Sequence, residues 1–217
     1  MLVKAVIFDL DGVIVSTDEY HYRAWKHIAD DESIYFDREY NDRLRGVSRK
    51  ESLDIILKNA NRSYTLREKE ELLLRKNDLY RKYLEELSHK DILPYVVRTI
   101  KMLKENGIKI AIGSSSKNAK FILSKLGLDD TFDAIIDGTM IEKSKPDPEV
   151  FLSASNLLQV NPNECVVVED AIAGVESAQQ AGMQVIGVGH AVIGTNITYK
   201  VENLRNIAEI IQEITEN

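Results

Sequence analysis

The sequence has a single cysteine, Cys165, so no intrachain disulfide can form and the fold must be held by burial and hydrogen bonding. That usage fits a reducing compartment, and a cytoplasmic protein is expected. No apolar run approaches the ~18 residues that would cross a bilayer, so no membrane partner is expected. The first residues carry their apolar run at once, without a charged leader or a small-residue cleavage site, and do not read as a signal peptide. Positive charge is in deficit, with 28 Lys and Arg against 35 Asp and Glu and a formal net charge of −7. That argues against a large phosphate-backbone footprint, so no nucleic acid is expected, although a local cluster of cations can still hold a small anion. Repeats and low-complexity tracts are absent.

Apolar residues make up 44% of the 217 and charged residues 29%, an ordinary globular balance. Five short apolar runs, Val3–Phe8, Ile108–Gly113, Ala134–Asp137, Cys165–Glu169 and Gln184–Val188, read as buried parallel strands. Helical patterns separate most of them. Val97, Ile100 and Leu103 share a face and Gly107 follows as a stop; Ala119, Ile122, Leu123 and Leu126 repeat this before Gly127. Asp147-Pro148 reads as an N-cap with proline at the first helical position, and a further helix runs through Ile172, Val175 and Ala178 to Gly182. Strands alternating with helices predict an α/β fold with a Rossmann-like parallel sheet.

Between the first and second strands lies far more chain than one crossover needs. Its patterns are helical only, with capping boxes at Ser48/Glu51, before Leu53, Ile56 and Leu57, and at Thr65/Glu68, before Leu72, Leu79 and Tyr83. The expected organisation is therefore a core of residues 1–16 and 92–217 with a helical cap domain, residues 17–91, inserted after the first strand. Residues 17–92 hold 16 Lys and Arg against 17 Asp and Glu, and the remainder 12 against 18. The insertion is the less acidic part, as suits a lid facing an anionic ligand.

In an open α/β sheet, ligands bind beyond the carboxyl ends of the strands. Asp9-Leu10-Asp11-Gly12 follows the first strand, Ser114-Ser115-Ser116-Lys117-Asn118 the second, Lys143-Ser144-Lys145-Pro146 the third after a short loop, and Glu169-Asp170 the fourth. Carboxylates gathered at adjacent strand ends repel unless a cation joins them. Oxygen donors with no histidine or thiol pair nearby suit a hard ion, Mg²⁺. A hydroxyl, backbone N–H groups at a helix start and a lysine suit phosphate. Such a site is equipped for phosphoryl transfer, with Asp9 attacking phosphorus and Asp11 moving protons. Each cluster has an ordinary reading when taken singly: a loop, an N-cap or a turn. All four in this order at strand ends do not.

These four clusters resemble the motifs of the haloacid dehalogenase superfamily, and the insertion resembles that superfamily's helical cap. A finer resemblance, to the β-phosphoglucomutase family, rests on Thr17 to Trp25, on Leu44-Arg45-Gly46-Val47-Ser48-Arg49, on Arg75-Lys76-Asn77-Asp78 and on Ser114 to Asn118. It implies interconversion of β-glucose 1-phosphate and glucose 6-phosphate through a phosphorylated aspartate and a glucose 1,6-bisphosphate intermediate. It further implies Asp9 as nucleophile and metal ligand, Asp11 as general acid and base with its carbonyl on the metal, and Glu169 and Asp170 as the remaining protein ligands. Ser114 and Lys145 would hold the transferring phosphate. Arg49 would grip the other one, helped by Ser116, Lys117 and Asn118. His21, Trp25 and Lys76 would link the cap to the sugar and to Asp11, with Thr17 at the hinge. Arg45, Gly46, Val47, Ser48 and Ser115 complete the implied substrate-binding set. The implied partners are small sugar phosphates, bound by a monomer.

The chain departs from that family at three places. Ser16 stands where an acidic residue is frequent, Arg45 where lysine is common, and the loop Asp30–Phe36 looks shortened. Without the resemblance, Trp25 reads as core packing, His21 as a satisfied histidine and Arg49 as a solvated residue after a cap. The rival reactions are a sugar-phosphate phosphatase on the same scaffold, with water finishing the reaction, and a non-catalytic sugar-phosphate-binding module. The intact carboxylates and Lys145 speak against the second. A dehalogenase would also use an aspartate nucleophile, but would not need so acidic a metal site.

Overall fold

The computed structural model describes residues 2–44, 47–189 and 197–216. The chain divides into two compact units, Met1–Ser16 with Ser88–Asn217, and Thr17–Leu87.

The first unit is built on six parallel strands: β1 (Ala5–Phe8), β2 (Lys109–Gly113), β3 (Ala134–Ile136), β4 (Cys165–Glu169), β5 (Gln184–Val188) and β6 (Tyr199–Val201). Their order across the sheet is β3-β2-β1-β4-β5-β6. All residues of β1 and β4 are buried, as expected of central strands covered on both faces. Phe8 pairs with Val168, so Asp9 and Glu169 leave the sheet side by side. The chain runs outward from β1 to β2 and β3, then returns and runs outward the other way from β4. The order reverses between β1 and β4, which makes the crevice beyond their carboxyl ends the topological switch point.

Helices α5 (Val96–Glu105), α6 (Ala119–Leu126), α7 (Glu149–Leu158), α8 (Ile172–Gln180) and α9 (Ile207–Glu216) complete this unit. Val150, Phe151, Ala154 and Leu158 of α7 and Val175 and Ala178 of α8 pack with Ile7, Ala111 and Val167 of the strands. Each large apolar side chain fully buried in this way contributes roughly 1.5–3 kcal/mol. Gly113 is small for a packing reason: a Cβ there would lie 2.9 Å from the Phe151 ring.

The second unit holds α1 (Asp18–Asp31), α2 (Arg38–Asp42), α3 (Arg49–Leu57) and α4 (Leu66–Leu84). Its own apolar core gathers Trp25, Ile28, Ile34, Phe36, Leu53, Ile56 and Leu72. Both capping boxes read from the sequence form, at Ser48/Glu51 and Thr65/Glu68. Around the second, Arg62 lies over the Tyr64 ring and joins Glu32 at 3.0 Å and Glu68 at 2.6 Å, pinning the α3–α4 connection to the end of α1.

Several boundaries differ from the sequence reading. The second unit ends at Leu87, and residues 88–91 belong to the first. The reason is local: Leu93 N–H donates to Ile14 O, Val15 bridges to Ile92, and a short 3-10 turn, His89–Asp91, packs near α6. Val97 is half exposed, because the buried stripe of α5 runs through Val96, Thr99, Ile100 and Leu103. Helix α7 begins at Glu149, with Pro148 rather than Asp147 at the N-cap. Strand β6 went unread because Tyr199-Lys200-Val201 is short and only partly buried. Among the described residues no helix is long and apolar enough to cross a membrane.

The second capping box is directly testable. Thr65→Ala removes the hydroxyl that accepts from Glu68 N–H and should lower the stability of the protein by about 1 kcal/mol. Urea unfolding followed by far-UV circular dichroism measures this, and an unchanged midpoint would mean the box contributes nothing.

Candidate active site

Asp9 follows β1 and is buried; its N–H donates to Val168 O at 2.9 Å, which locks it to the neighbouring strand. Glu169 ends β4 and is 1% exposed, and Asp170 follows it. Ligand oxygens of Asp9, Glu169 and Asp170 lie within 4.8 Å of one another. Lys145, also buried, donates to Asp9 Oδ1 at 2.5 Å and to Glu169 Oε1 at 3.1 Å. The peptide bond Lys145–Pro146 is cis.

The electrostatics of this group are severe. Burial pushes the Glu169 carboxyl above the usual range, and the Asp9 charge adds to this against the pull of Lys145. Asp170 is raised in the same way, by burial first and then by Glu169, Asp9 and Asp11. Burial works to lower the Lys145 ammonium, but the Asp9 and Glu169 charges outweigh it and its pKa is raised. One ammonium offsets one negative charge, and three carboxylates meet here, with the Asp11 charge felt at Asp170. The donor set therefore fits a divalent cation held by carboxylate oxygens, with no histidine or cysteine in the cluster.

Two glycines make room for these acids. Gly12 has φ +85°, and a Cβ on it would fall 2.0 Å from Asp170 Oδ2. A Cβ on Gly174, in the first turn of α8, would fall 1.5 Å from Glu169 Oε1. Neither Glu169 nor Asp170 caps that helix, whose N-cap is Ala171 without a side-chain bond. Asp11 sits in the turn closed by Gly12 N–H donating to Val15 O. It is not among the three clustered carboxylates, and its charge is felt at Asp170.

The loop after β2 carries the other polar residues of this unit. Ser114 is buried, and its Oγ accepts from Ser116 N–H at 3.1 Å; Ser116 Oγ in turn accepts from Asn118 N–H at 3.2 Å. The hydroxyls fold the loop on itself instead of capping α6, whose N-cap is Asn118 with no side-chain bond. Ser115 Oγ is buried and lacks a partner among the described residues. Lys117 is exposed and Asn118 buried. Asp137 and Gly138, not singled out in the sequence, back this loop. Gly138 N–H donates to Ser116 O, a Cβ on Gly138 would lie 2.2 Å from Ser115 O, and Asp137 accepts from Thr139 N–H and Oγ.

In the second unit, α1 packs along α4, and the residues four apart on each helix meet. His21 and Trp25 of α1 face Lys76 and Tyr80 of α4. Lys76 Nζ is 2.8 Å from His21 Nδ1 and lies over the Trp25 ring at 4.9 Å. Burial pushes the His21 imidazole well below its usual range, and Lys76 and Arg49 push the same way. A neutral imidazole accepts the Lys76 hydrogen at Nδ1 and carries its own proton on Nε2. Trp25 is buried and belongs to the apolar core as well. Arg49 opens α3 and is partly buried, which lowers its pKa, with Tyr80 and Asp78 opposing. The Ser48 hydroxyl accepts from Glu51 N–H, and Val47 N–H donates to Leu44 O. Thr17 is buried and bonded to Tyr80. Arg45 and Gly46 lie outside the described residues.

A model of haloacid dehalogenase-like hydrolases matches residues 3–182. The chain belongs to the haloacid dehalogenase-like hydrolase family. Within that family it is 50% identical over 189 residues to the β-phosphoglucomutase of Bacillus subtilis, covering 86% of this chain and 84% of that one. A crystal structure of β-phosphoglucomutase from Clostridium difficile superposes with a TM-score of 0.91 at 38% identity, covering 100% of both chains. A phosphorylated carbohydrates phosphatase of Thermotoga maritima is 30% identical over 192 residues, 87% of each chain. The haloacid dehalogenase-like fold and the sheet order agree with the parallel α/β core expected from the sequence.

Gly174 offers the sharpest test of this site. Gly174→Ala suits a helix but drives Glu169 Oε1 out of the cluster. Divalent-cation affinity should fall about 10–100-fold while the fold is kept. Titration calorimetry measures it, and unchanged affinity would mean that Glu169 takes no part in holding the ion.

Proposed function

We propose that this chain is a β-phosphoglucomutase, interconverting β-glucose 1-phosphate and glucose 6-phosphate. The observation that carries the reading is the 50% identity to a β-phosphoglucomutase over most of both chains, against 30% to a phosphatase over a similar length. The polar residues of the second unit support it. A mutase needs one place for the phosphate that reacts and another for the phosphate that does not. Ser114 and Lys145 suit the first, and Arg49 the second.

In this reading the Asp9 carboxylate attacks the phosphorus of a hexose bisphosphate. The bond to the sugar oxygen breaks, and Asp11 gives that oxygen its proton. The resulting aspartyl phosphate is attacked by the free hydroxyl of the second sugar phosphate, whose proton returns to Asp11. Transfer to the 6-hydroxyl of β-glucose 1-phosphate makes the bisphosphate, and return of its 1-phosphate to Asp9 frees glucose 6-phosphate. Lys145 holds Asp9 in place and lies where it can accompany the transferring phosphoryl group. Asp9, Glu169, Asp170 and the Asp11 carbonyl would hold the cation, for which the hard oxygen donors favour Mg²⁺. When bound, Mg²⁺ offsets the charge gathered between carboxylate and phosphate.

Phosphorus NMR of the protein with Mg²⁺, β-glucose 1-phosphate and a trace of the bisphosphate should show glucose 6-phosphate, with no turnover by Asp9→Asn. Free phosphate as the main product would make the chain a phosphatase, and full turnover by Asp9→Asn would remove the nucleophile.

Arg49 separates the two reactions further. Its guanidinium grips phosphate bidentately, so its loss should hurt the steps that bring a phosphorylated sugar to Asp9. Water attacking a formed aspartyl phosphate carries no distal phosphate and should be affected much less. Arg49→Ala is expected to lower the ratio of glucose 6-phosphate formation to phosphate release by about tenfold or more, with Arg49→Lys recovering part. A constant ratio across wild type and both variants would remove Arg49 as the distal anchor.

A further inference from the structure

In the Thr17–Leu87 unit the groups credited with handling the sugar phosphate come from three different helices, and one side chain touches or adjoins each of them. Tyr80 is 1% exposed and lies in the buried stripe Leu72, Lys76, Tyr80, Leu84 of α4. Its ring meets the His21 imidazole of α1 with centroids 4.1 Å apart and planes tilted by 35°. The Lys76 ammonium stands 4.4 Å from the ring centroid. The Arg49 guanidinium of α3 is close enough to interact electrostatically with the phenol.

The phenol hydroxyl adds a fourth connection. A tyrosine buried this deeply needs a partner for its O–H, and Tyr80 donates to Thr17 Oγ1 at 3.0 Å. Thr17 is the N-cap residue of α1, where a threonine hydroxyl ordinarily accepts an N–H from the first turn. It makes no such bond here. The hydroxyl is turned from its own helix towards Tyr80, at the residue where the chain enters this unit. Packing alone would be satisfied by phenylalanine or leucine, so the hydroxyl needs another explanation.

We infer that Tyr80 is a positioning residue, whose ring fixes where His21, Lys76 and Arg49 are presented and whose hydroxyl ties that arrangement to Thr17. Its catalytic consequence rests on the mutase reading; its structural consequence does not. The ring keeps water from the imidazole and holds the Lys76–His21 contact in the form with Nδ1 as acceptor. Among the described residues, Lys76 and Arg49 act on the His21 charge, and Asp78 acts on Arg49. The hydroxyl contact keeps the start of α1, and so His21 one turn on, in register with α4.

Three variants test this: Tyr80→Phe, Tyr80→Leu and Thr17→Val, with the double variant Thr17→Val/Tyr80→Phe. The first readout needs no substrate. The His21 ring nitrogens are followed by NMR across pH in the free protein. Tyr80→Leu should let His21 titrate nearer the ordinary histidine range, while Tyr80→Phe should leave it close to wild type. The second readout is glucose 6-phosphate formation against phosphate release. Tyr80→Leu should lower that ratio about tenfold or more, since small misplacements of aligned groups cost rates of that order. Tyr80→Phe and Thr17→Val should each lower it several-fold, and the double variant should be no worse than either single one. Additive losses in the double variant, or a wild-type product ratio for Tyr80→Phe, would overturn the role of the hydroxyl. An unchanged His21 titration in folded Tyr80→Leu would overturn the role of the ring. If Tyr80→Leu fails to fold, Tyr80→Met, which keeps bulk but not the ring, decides the same question. If the wild type releases only phosphate, the mutase reading fails, and the His21 titration still decides the role of the ring.

Discussion

Mutual repulsion among Asp9, Asp11, Glu169 and Asp170 is the constraint around which the first unit is arranged. The sheet order reverses between β1 and β4, so these acids leave adjacent strands at the same end. Burial makes their charge costly, and Lys145 offsets part of it through contacts to both Asp9 and Glu169. The fit of the surroundings is correspondingly tight. Gly12 and Gly174 are bare because carboxylate oxygens occupy the space a side chain would take. An arrangement this unfavourable on its own has a cation and a phosphate to receive, and the sheet supplies the rigidity that keeps it assembled beforehand.

The second unit solves a different problem by other means. Its surface carries ion pairs such as Arg62 with Glu32 and Glu68, whereas His21 and Lys76 rest on aromatic faces beside a small apolar core. Lys76 lies over both Trp25 and Tyr80, and His21, against the Tyr80 ring, has its pKa pushed down by burial. The two units thus place charge by different means, the first by gathering acids around an ammonium and the second by setting an ammonium on rings.

Much of this was legible in the sequence, and the reasons differ by residue. Charged residues directly after buried apolar runs, as at Asp9 and Glu169-Asp170, have few structural explanations and so stand out, and Lys145 joins them by its place in the loop after the third run. Five strands were readable because Val, Ile and Ala runs have no polar face; Tyr199–Val201 was not, since an edge strand need not be apolar. The end of the insertion was read four residues late because His89–Asp91 is a polar turn with no strand signal, although it joins the first unit. Tyr80 was hidden for the opposite reason: an aromatic at helical spacing reads as packing, and only its hydroxyl contact reveals more. Its distance of one turn from Lys76 was the available clue. Gly174 gives no signal in the sequence, and only the Glu169 carboxylate beside it explains why no side chain fits there. Ser48 shows the converse, a residue of the implied binding set whose hydroxyl caps its own helix.

The chain has one tryptophan, and it lies under the Lys76 ammonium in the insertion. Indole emission is quenched and shifted by a nearby charge, so fluorescence excited at wavelengths where tyrosine does not absorb reports on this unit alone. The one cysteine is buried at the start of β4, with its thiol pushed up to about 11. A thiol introduced elsewhere on the surface can therefore be labelled without removing the native one. Together they make one added surface cysteine in the first unit the single change needed for distance measurements between the two units, the indole serving as donor and the attached dye as acceptor.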